Sequence, residues 1–187
     1  GANANAAATV ARAIGISDHI IQSVLKKFRG VPDRLEYIRT VRGVRYYNDT
    51  TATTPDATVA ALRTLSSQYA EVEISLGSST SIVLIAGGSD KNLDYKPLIP
   101  WIKRICKAVV LLPGVATEKI KKLFHDSRFT IHVVEATTMS SAVHKAESFA
   151  KRGDIVLLSP AAASFGLFQH EFDRGEKFKK VVRQLTA

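Results

Sequence analysis

Three short stretches carry residue types able to bind and orient a small anionic ligand. The first is Asn48-Asp49-Thr50-Thr51-Ala52-Thr53-Thr54-Pro55, with one carboxylate, four hydroxyls and a proline that marks the first turn of a helix. That set suits a ribose, a carboxylate or a hydrated cation, and it equally suits an Asx/ST turn with an ordinary N-cap. The second is Gly87-Gly88-Ser89-Asp90-Lys91, where two glycines permit close backbone approach and Lys91 offers a point charge. A plain turn has the same composition. The third is Ser159-Pro160-Ala161-Ala162-Ala163-Ser164-Phe165-Gly166, whose small side chains expose N–H groups to a ligand or let a loop pack tightly on a sheet. Neither serine sits in a Gly-x-Ser-x-Gly elbow, and the chain has no Walker A loop and no Gly-x-Gly-x-x-Gly. The histidines His19, His125, His132, His144 and His170 lack paired metal-ligand spacing, so no metal site is expected. No residue is assigned a catalytic role.

The elements around these loops follow from periodicity. Residues 35–41 and 44–48 are β-rich runs joined by Arg42-Gly43, a hairpin signal. Thr54 caps a helix that buries Val59, Leu62 and Leu65. Residues 81–86 form an apolar strand, and strands at 108–112, 130–134 and 154–159 then alternate with helices at 95–107, 116–124 and 140–150. A final helix covers 176–185, and Cys106 falls in the helix before the second of those strands. Wholly apolar strands are buried on both faces. The alternation predicts an α/β fold: a Rossmann-like, doubly wound, mostly parallel sheet with helices on both faces. Ligands bind such sheets beyond the carboxyl ends of the strands, where the three loops fall. Upstream, an Ala-rich helix at 5–14 stops at Gly15, and a second helix carries Ile21, Val24, Leu25 and Phe28 before Gly30 and Pro32. This short helical appendage occupies residues 1–33 and the α/β domain residues 34–187. Its abrupt opening reads as the tail of something larger.

The 187 residues are 45% hydrophobic and 23% charged, which suits one packed domain with an appendage and excludes disorder as the main state. The net charge of +9 is spread over pairs such as Lys26-Lys27, Lys103-Arg104 and Lys179-Lys180, within amphipathic helices. Nucleic-acid binding is therefore not expected, whereas small anions suit the surplus. One cysteine excludes an internal disulfide framework, and no apolar run is long enough to span a bilayer. A cytoplasmic monomer is expected.

Together these loops resemble the Mur ligases. Tyr47 through Pro55, Gly87-Gly88-x-Asp90-Lys91, Leu158 through Ser164 and Phe172-x-Arg174-Gly175-x-x-Phe178 occur in the family's order. Arg34, in Gly30-Val31-Pro32-Asp33-Arg34-Leu35-Glu36, matches the arginine at the entry to the family's C-terminal domain. Asn3 resembles the second asparagine of the central domain's His-Asn-x-x-Asn segment. Sister ligases usually carry Asp-Tyr-Ala-His or Asp-x-Ala-His-Asn-Pro where this chain has the loop 48–55, which points to the D-glutamate-adding branch. Thr51 stands where some relatives have Lys, and Asp33 where His is common. Phe172 lies one position later than the corresponding aromatic of some relatives.

The resemblance implies a three-domain, ATP-dependent amide ligase of peptidoglycan biosynthesis of which this chain is the last part. Residues 1–33 would be the tail of the central ATPase domain and a linker. Residues 34–187 would form the domain that contacts amino acid and nucleotide. ATP would phosphorylate the carboxylate of UDP-MurNAc-L-alanine, the amine of D-glutamate would attack the acyl phosphate, and a tetrahedral intermediate would collapse to amide and phosphate. ATP and Mg2+ would be held mainly by the central domain, with its P-loop, magnesium ligands and carbamylated lysine. UDP-MurNAc-L-alanine would bind through the other domains. Asn3 would lie near the adenine, Arg34 on the nucleotide and Asp49 toward the ribose, while Thr53, Lys91 and Ser164 would hold D-glutamate. The chain alone would then be inactive. The alternatives are a folylpolyglutamate synthase-type C-terminal domain, which the loop 48–55 disfavours, and a stand-alone nucleotide-binding module.

Overall fold

The computed structural model describes residues 2–76, 81–125 and 131–186. The chain divides into two compact units, Gly1–Val31 and Pro32–Ala187. In the first, α1 (Ala2–Ala13) and α2 (Asp18–Lys27) flank a turn at Gly15. Ile16 N donates to Ala11 O (3.0 Å) and Gly15 N to Arg12 O (3.0 Å), the paired bonds of a Schellman ending. Of the four apolar residues read on α2, Val24, Leu25 and Phe28 are exposed and Ile21 is buried.

The second unit opens with the hairpin of β1 (Glu36–Val41) and β2 (Val44–Asn48). Its turn residues Arg42 and Gly43 both have positive φ (50° and 79°), as a type I′ turn requires. Then follow α3 (Pro55–Leu76), β3 (Ile82–Gly87), α4 (Leu98–Ile105), β4 (Cys106–Leu112) and α5 (Val115–His125). The chain continues through β5 (His132–Glu135), α6 (Met139–Phe149), β6 (Ile155–Leu158) and α7 (Glu171–Gln184). The six strands form one sheet in the order β1-β2-β6-β3-β4-β5, with β1 antiparallel and the others parallel. Leu62 and Leu65 of α3, Leu98 and Ile102 of α4 and Ile120 of α5 cover one face. Met139, Val143 and Ala146 of α6 with Phe178 and Val182 of α7 cover the other. Two buried layers on a mostly parallel sheet are the doubly wound α/β architecture read from the sequence.

Two local readings differ, and one falls on a residue that is not described. Cys106 opens β4 instead of closing a helix, because it takes up pairing opposite Ile82 of β3. Its thiol is buried, which pushes its pKa up and leaves it a packing group. Thr130, read as the start of a strand, lies outside the described residues. The last helix begins at Glu171, five residues before its expected start at Glu176, where His170 Nδ1 accepts from Asp173 N (3.1 Å).

Gly175 reads as a helix breaker yet lies inside α7 because of a close approach. A Cβ there would meet Asp33 Oδ1 and Thr50 Cγ2 at 2.7 Å each. A Gly→Ala change in a helix interior ordinarily stabilises by about 1 kcal/mol. We expect Gly175→Ala to do the reverse and cost about 1–3 kcal/mol through overpacking. Urea unfolding of the two proteins reads the sign directly, and a raised midpoint would refute the close-packing account.

Candidate ligand-binding site

The strand order places the carboxyl ends of β2, β6 and β3 side by side. Asn48, Leu158 and Ile85 align across these three strands. The loops beyond them are stitched together by backbone bonds. Asp49 N donates to Leu158 O (2.8 Å), Gly87 N to Pro160 O (2.8 Å) and Ala161 N to Ala52 O (2.9 Å). Ser89 and Ala163 exchange N–H···O bonds of 2.9 and 3.1 Å. That exchange brings Gly88 so close that a Cβ on it would lie 2.3 Å from Ala163 O. Side-chain freedom is therefore absent at the floor of the site, and backbone forms it.

Lys91 and Thr53 meet across this floor, with Lys91 Nζ donating to Thr53 Oγ1 at 3.4 Å. Neighbouring Asp90 does not neutralise Lys91. Its carboxylate is engaged by Lys119, by Tyr95 Oη (3.1 Å) and by Leu93 N (3.3 Å), and the Lys119 ammonium holds it below the usual carboxylate range. Lys91 is exposed and forms no ion pair among the described residues. Ser164 is buried in the third loop, where its carbonyl accepts from Phe168 N (3.2 Å).

A second group of residues surrounds Arg34. Asp33 (φ 64°) and Leu35 (φ 45°) flank it in the left-handed region, which costs a non-glycine residue about 1–3 kcal/mol and survives only where neighbours enforce it. Asp33 O accepts from Thr51 Oγ1 (3.0 Å) and Thr51 N (3.3 Å). Asp33 Oδ1 accepts from Asn48 Nδ2 (2.7 Å) and from Lys179 Nζ (3.1 Å), and Asp33 N donates to Glu36 Oε2 (2.9 Å). Burial draws the Lys179 pKa down, but Glu176 and Asp33 outweigh it and raise the value. Asp33 and Thr51 are thus the residues that hold the turn. Arg34 emerges exposed on the rim of a pocket of about 270 Å³ lined also by Asp49, Thr51, Ala57, Ala60 and Thr64.

Asp49 lines this pocket with both carboxylate oxygens already engaged. Oδ1 accepts from Leu35 N (3.1 Å) and Oδ2 from Ser159 Oγ (2.8 Å). Burial pushes its pKa up to about 6, against the opposing pull of the Ser159 and Leu35 hydrogen bonds and the Arg34 charge. Asn3 is an exposed residue of α1 in the first unit. Among the described residues no group of three or more His, Cys, Asp or Glu can hold a metal ion, and no helix is long and apolar enough to cross a membrane.

Sequence reasoning gave no role to Arg174, Gly175 or Lys179 of α7, all of which bear on these loops. The available signal was a charged Arg174 four residues before Phe178, on the helix face that carries Phe178 and Val182.

Fold and site define a doubly wound α/β domain that presents a cation and hydroxyls at the carboxyl edge of three adjacent strands. The profile described as "Mur ligase, glutamate ligase domain" matches residues 33–162, and the chain belongs to that family. It is 41% identical over 185 residues to the UDP-N-acetylmuramoylalanine–D-glutamate ligase of Roseiflexus sp. (strain RS-1), covering 98% of this chain and 37% of the relative. It is also 41% identical over 168 residues to the ligase of that name from Borreliella afzelii (strain PKo), covering 90% of this chain and 34% of the relative. The chain thus spans little more than a third of the length of these relatives. Among solved structures, E. coli FolC in complex with ADP superposes with a TM-score of 0.65 at 17% identity, over 98% of this chain and 40% of that one. MurC from Thermotoga maritima gives 0.64 at 16% identity, over 97% and 37%. These two likenesses establish the shared fold.

Asp49 yields a pH prediction. Its folded pKa of about 6 lies above the ordinary 3.8, so the folded state binds the proton more tightly. The associated stability is fully present below pH 3.8 and is lost as pH rises through about 6. The change amounts to at most about 3 kcal/mol. Urea midpoints of the parent and of Asp49→Asn, compared at several pH values across that window, should diverge in slope, with the parent losing more stability as pH rises. Parallel slopes would refute the assignment.

Proposed function

We propose that this chain is the amino-acid-delivering domain of a cytoplasmic, monomeric UDP-N-acetylmuramoylalanine–D-glutamate ligase, which joins D-glutamate to UDP-MurNAc-L-alanine at the expense of ATP. The observation that carries the reading is the exposed Lys91 ammonium against Thr53 Oγ1. A dicarboxylate ligand is matched by that charge, by the Thr53 hydroxyl and by Ser164 with the N–H groups of its loop. The 41% identity to ligases of that name supports the choice of D-glutamate.

In this reading Lys91, Thr53 and Ser164 grip the carboxylates and leave the amine free to attack. Arg34, aimed by its strained turn, takes nucleotide phosphate oxygens, and Asp49 lines the wall toward the ribose while its carboxylate keeps that turn in place. Asn3 contacts the adenine, and residues 1–33 belong to the central ATPase domain. ATP, when bound, supplies the phosphoryl group that activates the acceptor carboxyl. Mg2+ is assigned mainly to the central domain, and no step here runs through it. UDP-MurNAc-L-alanine is likewise assigned to the other domains.

Amide NMR titrations of the chain with D-glutamate and L-glutamate test the reading. D-glutamate should shift the resonances of Thr53, Lys91 and Ser164 saturably, L-glutamate should not, and Lys91→Ala should weaken binding by about tenfold or more. Absence of a saturable shift with D-glutamate at high millimolar concentration would overturn the assignment. Incubated with ATP, Mg2+, UDP-MurNAc-L-alanine and D-glutamate, the chain should form no amide. Detectable product would overturn the division of labour between domains.

A further inference from the structure

Arg174 is a fully buried arginine, the largest of the fully buried side chains. No carboxylate pairs with it among the described residues; every hydrogen bond it makes ends on a loop oxygen. Nε donates to Thr50 Oγ1 (3.0 Å), Nη2 to Thr50 O (2.8 Å) and Nη1 to Ala162 O (3.1 Å). Thr50 Oγ1 in turn donates to Glu171 O at the start of α7 (2.7 Å). Burial lowers the Arg174 pKa only to about 10, so the guanidinium stays charged at neutral pH. A buried cation without a carboxylate partner is costly, and an apolar side chain of similar size would fill the space more cheaply. What an apolar side chain lacks is a planar fork that fixes two separate segments at one spacing. The segments are the loops that carry Thr53, three residues after Thr50, and Ser164, two residues after Ala162.

We propose that Arg174 is the positioning residue of the amino-acid site. Its fork clamps the loop after β2 to the loop after β6 and so sets the spacing at which Thr53 and Ser164 meet the ligand. The site depends on the geometry of the fork, which a lysine cannot reproduce from a single head group. This inference rests on the reading of the loops as a D-glutamate site.

The test uses Arg174→Lys, Thr50→Val and Thr50→Ser, each verified as folded by its amide NMR spectrum and studied well below its melting midpoint. Arg174→Lys and Thr50→Val should each bind D-glutamate about tenfold more weakly, the scale of a lost charge-assisted hydrogen bond. Thr50→Ser, which keeps the acceptor oxygen, should bind like the parent. A merely structural role would lower the melting midpoint and leave the affinity of the folded protein unchanged. That result for Arg174→Lys and Thr50→Val overturns the proposal. If Arg174→Lys does not fold, Thr50→Val against Thr50→Ser decides, since both retain the arginine. Amide hydrogen exchange supplies an arm without ligand. The Ala161 N–H bonded to Ala52 O and the Ala163 N–H bonded to Ser89 O should lose protection in Thr50→Val while α7 keeps its own. If the parent binds no D-glutamate, the reading of the site fails. Unchanged exchange at Ala161 and Ala163 would separately overturn the clamp.

Discussion

The late strand β6 enters the sheet between β2 and β3, and the rest of the molecule is arranged around that insertion. Ile155–Leu158 pairs in parallel on both sides, with Tyr46 opposite Val156 on one flank and Val83 opposite Val156 on the other. Adjacent strands lie about 5 Å apart, so loops from three neighbours fall within reach of one small molecule. At an edge position the loop after β6 would be strands away from one of its two neighbours. Central insertion is what brings together the loops carrying Thr53, Lys91 and Ser164, which are scattered along more than a hundred residues.

Central insertion also creates a problem that α7 answers. The loop after β6 turns back over the sheet and needs cover, and its carbonyls need donors. The helix that supplies the cover uses Phe178 and Val182 for the apolar part of the task. Its amino-terminal turns do the polar part. Arg174 reaches the loops, Gly175 permits the close approach, and Lys179 pairs with Asp33, Glu36 and Glu176. Most of the buried polar groups thus lie at the end of the sheet where ligand chemistry is proposed, whereas Asp154, paired with Lys107, is buried at the opposite end.

Periodicity made the elements legible. Apolar runs such as Ile82–Gly87 and Ile155–Leu158 are buried throughout, and the alternation with helices leads to a doubly wound sheet and to its carboxyl edge. The three loops followed from turn chemistry at the ends of those strands. Strand order was not legible, because β6 carries the same apolar pattern as β3 and β4 and pairing depends on tertiary packing. Nor were the left-handed conformations of Asp33 and Leu35, which local propensity disfavours and the Thr51, Asn48, Lys179 and Asp49 contacts impose. The start of α7 was hidden because Gly175 reads as a stop signal until the proximity of Thr50 and Asp33 is known.

Asp49 shows why the two halves of the site cannot be separated. The position must satisfy two donors from different directions, Leu35 N beside the Arg34 turn and Ser159 Oγ in the loop after β6. A carboxylate offers two acceptor oxygens, whereas an asparagine would offer one oxygen and turn a donor toward the other partner. The charge required for that double acceptance is disfavoured by burial, and the nearby Arg34 guanidinium offsets part of the cost. Arg34 and Asp49 therefore support one another: the carboxylate holds the backbone that aims the arginine, and the arginine favours the ionised form of the carboxylate. Ser159 extends the chain of dependence, since its hydroxyl also meets Thr58 Oγ1 of α3 at 3.0 Å. The turn before β1, the loop after β2, the loop after β6 and the first helix of the α/β unit are tied through this single carboxylate and its donors. A ligand that draws on Arg34 thereby acts on a backbone continuous with the loops carrying Thr53 and Ser164.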